Sequence, residues 1–426
     1  MAAASPLILL TLVSIVCFLI GLPVVLVFGI WAVGFSVIVP AFPLTNMPIA
    51  AYEQLNSFPF VAIPLFILVG SFINEFGIST RIINWTRSWG GWLPGSTGNT
   101  AIYTAGIFSA ITGSNAATTA SVGEALMDDL EEEGYDPTFA AATIASGGTL
   151  GIIIPPSVLF ILYGVAFNVS VPDLFLAGVI PGILMMLALS SVNSYASHKN
   201  NYGTFSYRFS ITNILRTTWE AKVALGAITV LLGGIYAGFF TPAESAAVAF
   251  LYMLIAGIIT FRLTDMEQLT DSFENVILLS GIITPIFVTS VMVQQGLSFL
   301  GLQEAIANAI ISLQNPYLIG FVMVVVMLIS GSVLASVPNM ILVAPLLAPV
   351  AFSLGLSPIM WGVVFMISDA IGFITPPYGL NLYIISSLTG IEYIEIAYKA
   401  LPYLLSLIII WLVFLAFPEL NILAPS

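Results

Sequence analysis

Gly147-Gly-Thr-Leu-Gly-Ile-Ile-Ile-Pro-Pro-Ser157 interrupts an apolar run that extends over residues 139–167. A helix needs about 20 residues to cross a bilayer, so the run is long enough to span. Its middle cannot stay helical. The paired prolines remove backbone donors and clash with the preceding turn, and the paired glycines weaken the helix ahead of them. Backbone opened in this way at membrane depth survives only when buried in protein or lining a polar cavity. The same event recurs: Phe373-Ile-Thr-Pro-Pro377, with Gly372 before it and Gly379 after it, interrupts residues 358–388. Two broken membrane helices therefore set the frame for the rest of the chain.

The recurrence has a fixed offset. Pro64, Pro155, Pro156 and Pro181 return as Pro285, Pro376, Pro377 and Pro402, and Glu53 and Phe66 return as Glu274 and Phe287, each 221 residues later. Such agreement marks an internal duplication. The glycine-led turns Gly113-Ser-Asn and Gly331-Ser-Val are offset by 218, which predicts small compensating insertions. The division falls at 1–218 and 219–426. The apolar run from Leu7 to Val39 pairs with residues 221–261, Pro23 matching Pro242 at a helix-helix turn.

Composition excludes a soluble protein. Of the 426 residues 59% are hydrophobic and 7% charged, against roughly a quarter charged in soluble chains. A net charge of −13 offers nucleic acid nothing to neutralise its phosphates. The single cysteine, Cys17, lies in an apolar run, and the single histidine, His198, in a polar stretch beside Lys199, so neither a disulfide framework nor a histidine centre is expected. No Gly-x-Ser-x-Gly elbow, His-Glu-x-x-His pair or phosphate-binding Gly-x-x-x-x-Gly-Lys loop is present, so the chain reads as no enzyme and as lacking an ATPase.

Each half also holds a pair of apolar arms of about 14 residues, too short to span. They predict re-entrant hairpins at about 97–127 and 316–350, followed by broken helices at about 138–167 and 358–388. With each hairpin returning to its side of entry, Arg81, Arg87, Lys199, Arg208, Arg216, Lys222, Arg262 and Lys399 all fall on one face. The positive-inside rule makes that face cytoplasmic and puts the mouth of the first hairpin there and the mouth of the second outside. The expected fold is thus an all-α polytopic membrane protein of two inverted repeats, with about ten transmembrane helices, two re-entrant hairpins and two broken helices. Residues 7–39 form either one long span or two short ones.

The hairpin tips and helix breaks converge near mid-membrane. Unwound turns expose carbonyls there, and half-helix N-termini attract anions. A hard monovalent cation takes several oxygen ligands. Ser114, Asn115 and Thr118 with backbone at Gly148, Gly151 and Ile154 form one expected Na⁺ site. Ser332, Ser336 and Thr375 with Gly372 and Gly379 form the other. Ser114, Asn115, Pro155, Pro156 and Ser157, with Pro376, Pro377 and Asn381, are the expected substrate contacts. Small residues also serve plain helix packing, which accounts for isolated serines. Asp369 is the one acidic residue deep in an apolar helix, a possible ion-coupling carboxylate whose alternative is a hydrogen bond to Ser368 or Asn381. Glu53, Glu244 and Glu274 read as helix-start groups, residues 128–133 as a solvated turn, and Trp85, Trp89 and Trp92 as an interfacial belt.

Four stretches sharpen the reading: Phe58-Pro-Phe-Val-Ala-Ile-Pro-Leu-Phe-Ile67; Gly113-Ser-Asn-Ala-Ala-Thr118; the 147–157 block with Asp173-Leu-Phe-Leu-Ala-Gly178; and Thr375-Pro-Pro-Tyr-Gly-Leu-Asn-Leu382. Tyr236-Ala-Gly-Phe-Phe-Thr-Pro-Ala-Glu-Ser-Ala-Ala247 adds a fifth. Together they resemble the large membrane subunit, of DctM type, of tripartite ATP-independent periplasmic (TRAP) transporters. The resemblance implies a small four-helix membrane subunit and a periplasmic substrate-binding protein as partners in the bacterial inner membrane. It also implies Na⁺ as coupling ion, a small organic anion as cargo and an elevator movement, in which the hairpins and broken helices form the transport domain and the remaining helices the scaffold. The family's sodium sites carry over onto Ser114, Asn115 and the 147–157 break, and onto the second tip with residues 375–379. The sequence departs from the family's pattern at the second tip, Gly331-Ser-Val-Leu-Ala-Ser-Val-Pro338, and at Asp369, where the family pattern has an Asn. A self-sufficient transporter of the same architecture is the alternative. A channel is disfavoured, because no polar stripe runs along several helices.

Overall fold

The computed structural model describes residues 4–75, 79–203, 210–260 and 266–424, and among them no strand occurs. Arg208 and Arg262 lie outside the described residues. The first half runs α1 (Ala4–Leu19), α2 (Val24–Ile38), α3 (Asn46–Leu55), α4 (Ala62–Glu75), α5 (Ser79–Gly90), α6 (Ser96–Thr112), α7 (Asn115–Glu132), α8 (Pro137–Gly148), α9 (Val158–Phe167), α10 (Val171–Asn200) and α11 (Ile211–Glu220). The second runs α12 (Lys222–Tyr236), α13 (Pro242–Thr260), α14 (Met266–Phe299), α15 (Leu302–Ile311), α16 (Pro316–Val333), α17 (Ser336–Ser353), α18 (Pro358–Gly372), α19 (Leu380–Thr389) and α20 (Tyr393–Ala416).

The Leu7–Val39 run is two helices, because Gly21 takes a positive φ of 88° and Pro23 opens the next helix. Among the described residues six helices are long and apolar enough to cross a membrane, or eight if each of two bent pairs counts once. Length alone does not reach the ten spans expected, since the N-terminal pair and the broken helices are divided into pieces of 10–16 residues. The helices where hairpin arms were expected are also longer, at 17 or 18 residues, and two of them, α16 and α17, are among the six long and apolar enough to cross. In α7 the excess is its charged end, Asp128 to Glu132.

Helix boundaries correct the sequence alignment of the two tips. α7 opens at Asn115 and α17 at Ser336, and α8 opens at Pro137 and α18 at Pro358, each pair 221 apart. No insertion is needed. Gly331 lies in the last turn of α16, and the second tip is Leu334-Ala335. That turn is extended (Leu334 φ −97°, Ala335 φ −66°), whereas the first uses left-handed Gly113 (φ 58°). Only the left-handed turn of the first tip demands glycine.

Segments that stand 221 residues apart do not all fold alike. α3 and α4 meet at a 65° bend, while the equivalent α14 is a single helix of 34 residues. Pro59 accounts for this: it has no N–H to carry a helix on from α3, the chain turns extended at Ser57 (φ −77°, ψ 137°), and the residue 221 positions after Pro59 is Ser280. The centre of the molecule is formed by α8 and α18. Every residue of α8 from Phe139 to Gly148, and of α18 from Met360 to Gly372, is buried. Helices apolar on all sides belong in such a position. α1 and α2 stand outside it, on a separate cluster of Trp31, Phe35, Phe42, Met47 and Val293.

Candidate functional site

The first tip lies on the first break. A β-carbon placed on Gly113 would stand 3.0 Å from the Val158 nitrogen and 3.4 Å from the Pro156 carbonyl oxygen. One placed on Gly151 would stand 2.6 Å from the Asn115 nitrogen and from the carbonyl of Ser114. Backbone therefore meets backbone. Ser114 Oγ caps α7 by accepting from Ala117 N at 3.4 Å, and the Thr118 hydroxyl is 2.8 Å from that of Thr112. The Asn115 amide differs: it is buried, and neither its Oδ1 nor its Nδ2 finds a partner among the described residues. The Ser157 hydroxyl is buried and unpartnered as well. Ile154 turns its side chain towards Gly106 and Gly182, leaving only its backbone for a ligand.

The second tip region mirrors this contact. A β-carbon on Gly372 would stand 2.2 Å from the Gly331 carbonyl oxygen. Asp369 is fully buried one turn earlier, and its Oδ1 accepts from Asn339 Nδ2 at 2.8 Å. This corrects the sequence reading. Ser368 donates to the Phe365 carbonyl, and Asn381 Nδ2 donates across the halves to the Ala145 carbonyl at 3.0 Å. The Ser336 hydroxyl also faces Asp369, while Asn339 Oδ1 and Asn381 Oδ1 remain without partners among the described residues. Ser336 and Asn339, three apart on α17, share one face. Ser332 and Thr375 bond back to their own helix carbonyls, at Ile329 (3.0 Å) and Ile371 (2.8 Å). Gly379 begins α19 in the left-handed conformation (φ 46°).

The two breaks differ in exposure. Pro155, Pro156 and Ser157 are buried, whereas Pro376, Pro377 and Tyr378 are exposed. Tyr393 closes over the second break by donating to the Pro377 carbonyl at 3.1 Å, and its ring stacks on Tyr383. Chemically, both regions offer uncharged oxygens at a break, and the second adds a carboxylate. Sequence reasoning missed Asn339, although a lone amide inside the apolar run 336–353 was a usable signal. With the 221 offset, Asn339 corresponds to Thr118 and Asp369 to Gly148. Gly148 is pressed by Thr119 Oγ1 and Asn381 Nδ2, so no side chain fits there in the first half.

Other expectations resolve differently. Glu244 forms a capping box with Thr241, accepting from its nitrogen at 2.9 Å and its hydroxyl at 2.8 Å. Glu53 lies near the end of α3 and Glu274 within α14, so neither caps a helix start. Asp129 is helical and pairs with Arg87. His198 lies in the exposed last turn of α10. Trp85 donates to Thr218 and Trp89 stacks on Tyr103, so of the expected belt only Trp92 is exposed.

The model of the tripartite ATP-independent periplasmic transporter DctM component matches residues 11–420. The chain belongs to this family. The TRAP large subunit is 31% identical to the C4-dicarboxylate TRAP transporter large permease protein DctM of Pseudomonas aeruginosa, over 89% of each chain. It is 29% identical to the sialic acid TRAP transporter large permease protein SiaM of Vibrio cholerae, over 94% and 96% of the two chains. The isethionate TRAP transporter permease protein DctMQ of Oleidesulfovibrio alaskensis is 31% identical over 90% of this chain, which spans only 60% of that protein. In fold it resembles the Alcanivorax borkumensis YdaH transporter, with a TM-score of 0.63 and 14% identity over 88% and 89% of the chains. The TRAP large subunit is a multi-pass membrane protein and a transporter component, not an enzyme.

Proposed function

We propose that this subunit carries a small organic anion across the bacterial inner membrane, drawing on a Na⁺ gradient. The observation that carries the reading is the pair of helix breaks, each packed against a hairpin and each flanked by buried polar atoms without partners. Such atoms are costly to bury, roughly 1–3 kcal/mol each, unless a ligand satisfies them. Asn115 with the 148–154 backbone holds one Na⁺, and Asp369, Asn339 and Ser336 hold a second cation. The anion lies between them, near Ser157, Pro376, Pro377 and Asn381. No Lys or Arg lies within the described breaks, so helix dipoles and bound Na⁺ supply the positive field.

Relatives named for C4-dicarboxylate, sialic acid, isethionate and 2,3-diketo-L-gulonate support an organic acid as cargo. The family's tripartite name supports a small membrane subunit and a periplasmic binding protein as partners. The two halves are inverted, with the basic loops and the first hairpin's mouth in the cytoplasm. The hairpins and broken helices move together as an elevator against the remaining helices. The exposed second break and buried first break fit a state open on the second break's side.

The test is uptake into proteoliposomes bearing this subunit with its small membrane partner, under an imposed Na⁺ gradient. Solute is supplied with and without its binding protein. Uptake that needs both Na⁺ and the binding protein is expected. Uptake of free solute would replace this reading with a self-sufficient carrier, and uptake indifferent to Na⁺ would remove the coupling ion.

A further inference from the structure

α11 is absorbed by none of this. It follows α10, meets α12 at an angle of 73°, and presents Ile211, Leu215 and Trp219, each 66–70% exposed and four residues apart, along one face. Its other face is tied to α5: Thr217 Oγ1 donates to Ser88 Oγ at 3.0 Å, and Trp85 Nε1 donates to Thr218 Oγ1 at 2.9 Å. If α12 spans the bilayer, a helix turned this far from it runs nearly in the membrane plane. An apolar stripe bounded by cations is the form of a surface-seated helix, which sinks its apolar face to the acyl boundary and leaves its cations at headgroup level.

Two cavities open along the same helix. One, of about 270 Å³, is lined by Asn84, Arg87, Ser88, Asn213, Arg216 and Thr217, together with Glu220. The other, of about 400 Å³, is lined by Arg81, Trp219, Glu220, Lys222 and Thr260. Four of the eight basic residues of a chain with net charge −13 therefore gather around one short helix. Two carboxylates temper the field. Glu220 lies 3.6 Å from Arg216 Nε, and Asp129 pairs with Arg87. Arg216 is nonetheless 70% exposed, and Lys222 Nζ stands 4.0 Å above the Trp219 ring, at the edge of the apolar stripe. Hydroxyl and amide donors with guanidinium and ammonium groups suit a phosphodiester, and the adjoining stripe suits its acyl chains.

We propose that α11 and α5 form a binding site for an anionic phospholipid of the adjoining leaflet, its phosphate held by Arg216 and Lys222 and its chains against Leu215 and Trp219. Arg87 lines the cavity and pairs with Asp129 on α7, so the lipid rests on the strut that braces the first hairpin.

The test uses the full chain in phosphatidylcholine nanodiscs, with any membrane subunit that co-purifies. Trp219 emission is isolated by subtracting the Trp219→Phe variant. Brominated phosphatidylglycerol should quench it at a several-fold lower mole fraction than brominated phosphatidylcholine. The double variant Arg216→Gln/Lys222→Gln, both on exposed side chains, should erase that difference while keeping the thermal midpoint. Equal quenching by the two lipids, or a preference that survives the double variant, overturns the proposal. So does loss of the preference in excess inorganic phosphate, which would mark a site for free anions. Protection of Trp219 by the membrane subunit would make this face a protein interface and overturn it too.

Discussion

Gly372 and Gly331 touch through their backbones: a β-carbon on Gly372 would stand 2.2 Å from the Gly331 carbonyl oxygen and 2.4 Å from its carbon. Neither atom is the end of a flexible side chain, so relief requires α16 and α18 to separate. The Gly151 contact with Ser114 and Asn115 has the same character in the first half. Gly372→Ala and Gly151→Ala are expected to lower the thermal stability of the purified subunit by about 1–3 kcal/mol, the ordinary scale of overpacking, and to abolish uptake. Gly281→Ala, within α14 with open space around it, serves as control and should be neutral or stabilising by about 0.5–1 kcal/mol. Differential scanning fluorimetry checks all three.

Ser114 and Asn115 should separate in function. Ser114→Ala removes an N-cap, which costs about 1 kcal/mol and shows as a lower melting temperature with little change in Na⁺ requirement. Asn115→Ala removes an amide with no partner among the described residues. It should leave stability unchanged or raised, and lift the half-saturating Na⁺ concentration about tenfold, equivalent to about 1.4 kcal/mol of binding. Unaltered Na⁺ dependence in Asn115→Ala would remove that residue from the site.

Asp369 and Asn339 act as a pair. Asp369→Asn keeps the shape and removes the charge, so Na⁺ activation of uptake should weaken by tenfold or more while the protein still folds. Asn339→Leu withdraws the donor from a buried carboxylate, a loss of about 1.5–3 kcal/mol. The double variant Asp369→Asn/Asn339→Leu should recover part of that stability, because no charge is left stranded. Melting curves of the singles and the double give the coupling energy directly.

A buried polar seam joins α6 to α10. Asn193 Nδ2 donates to the Gly95 carbonyl and to Asn99 Oδ1, both at 3.0 Å, while Ser190 Oγ donates to Asn99 Oδ1 at 2.9 Å and meets the Tyr103 hydroxyl at 2.7 Å. Asn193→Ala removes two buried hydrogen bonds, while the Gly95 carbonyl keeps the Asn99 N–H, and should cost about 1–3 kcal/mol. Asn99→Ala added to it should cost less than its own single effect, since the two share a bond. Unfolding in urea reads both.

Much of this molecule followed from local chemistry in the chain. Paired prolines must break a helix wherever they stand, so residues 147–157 and 373–377 located both breaks. Helix pairs occupy the places where hairpins were expected, at Ser96–Glu132 and Pro316–Ser353, and their chain reversals follow from the residues between the arms. The recurrence of prolines at 221 residues needed only counting. Other features belong to the packed molecule. A carboxylate in an apolar run must find a donor, but Asn339 is 30 residues from Asp369 and meets it only because α17 lies against α18. Asn381 reaches Ala145 across 236 residues for the same reason. Gly331 resembled a turn residue because glycine favours turns, yet the second tip is extended and the glycine is needed instead for contact with Gly372. Breaks and periods are decided by neighbours along the chain and are therefore written in sequence. Partners, and the polar atoms left without any, depend on which helix faces come together, and only the tertiary structure decides that.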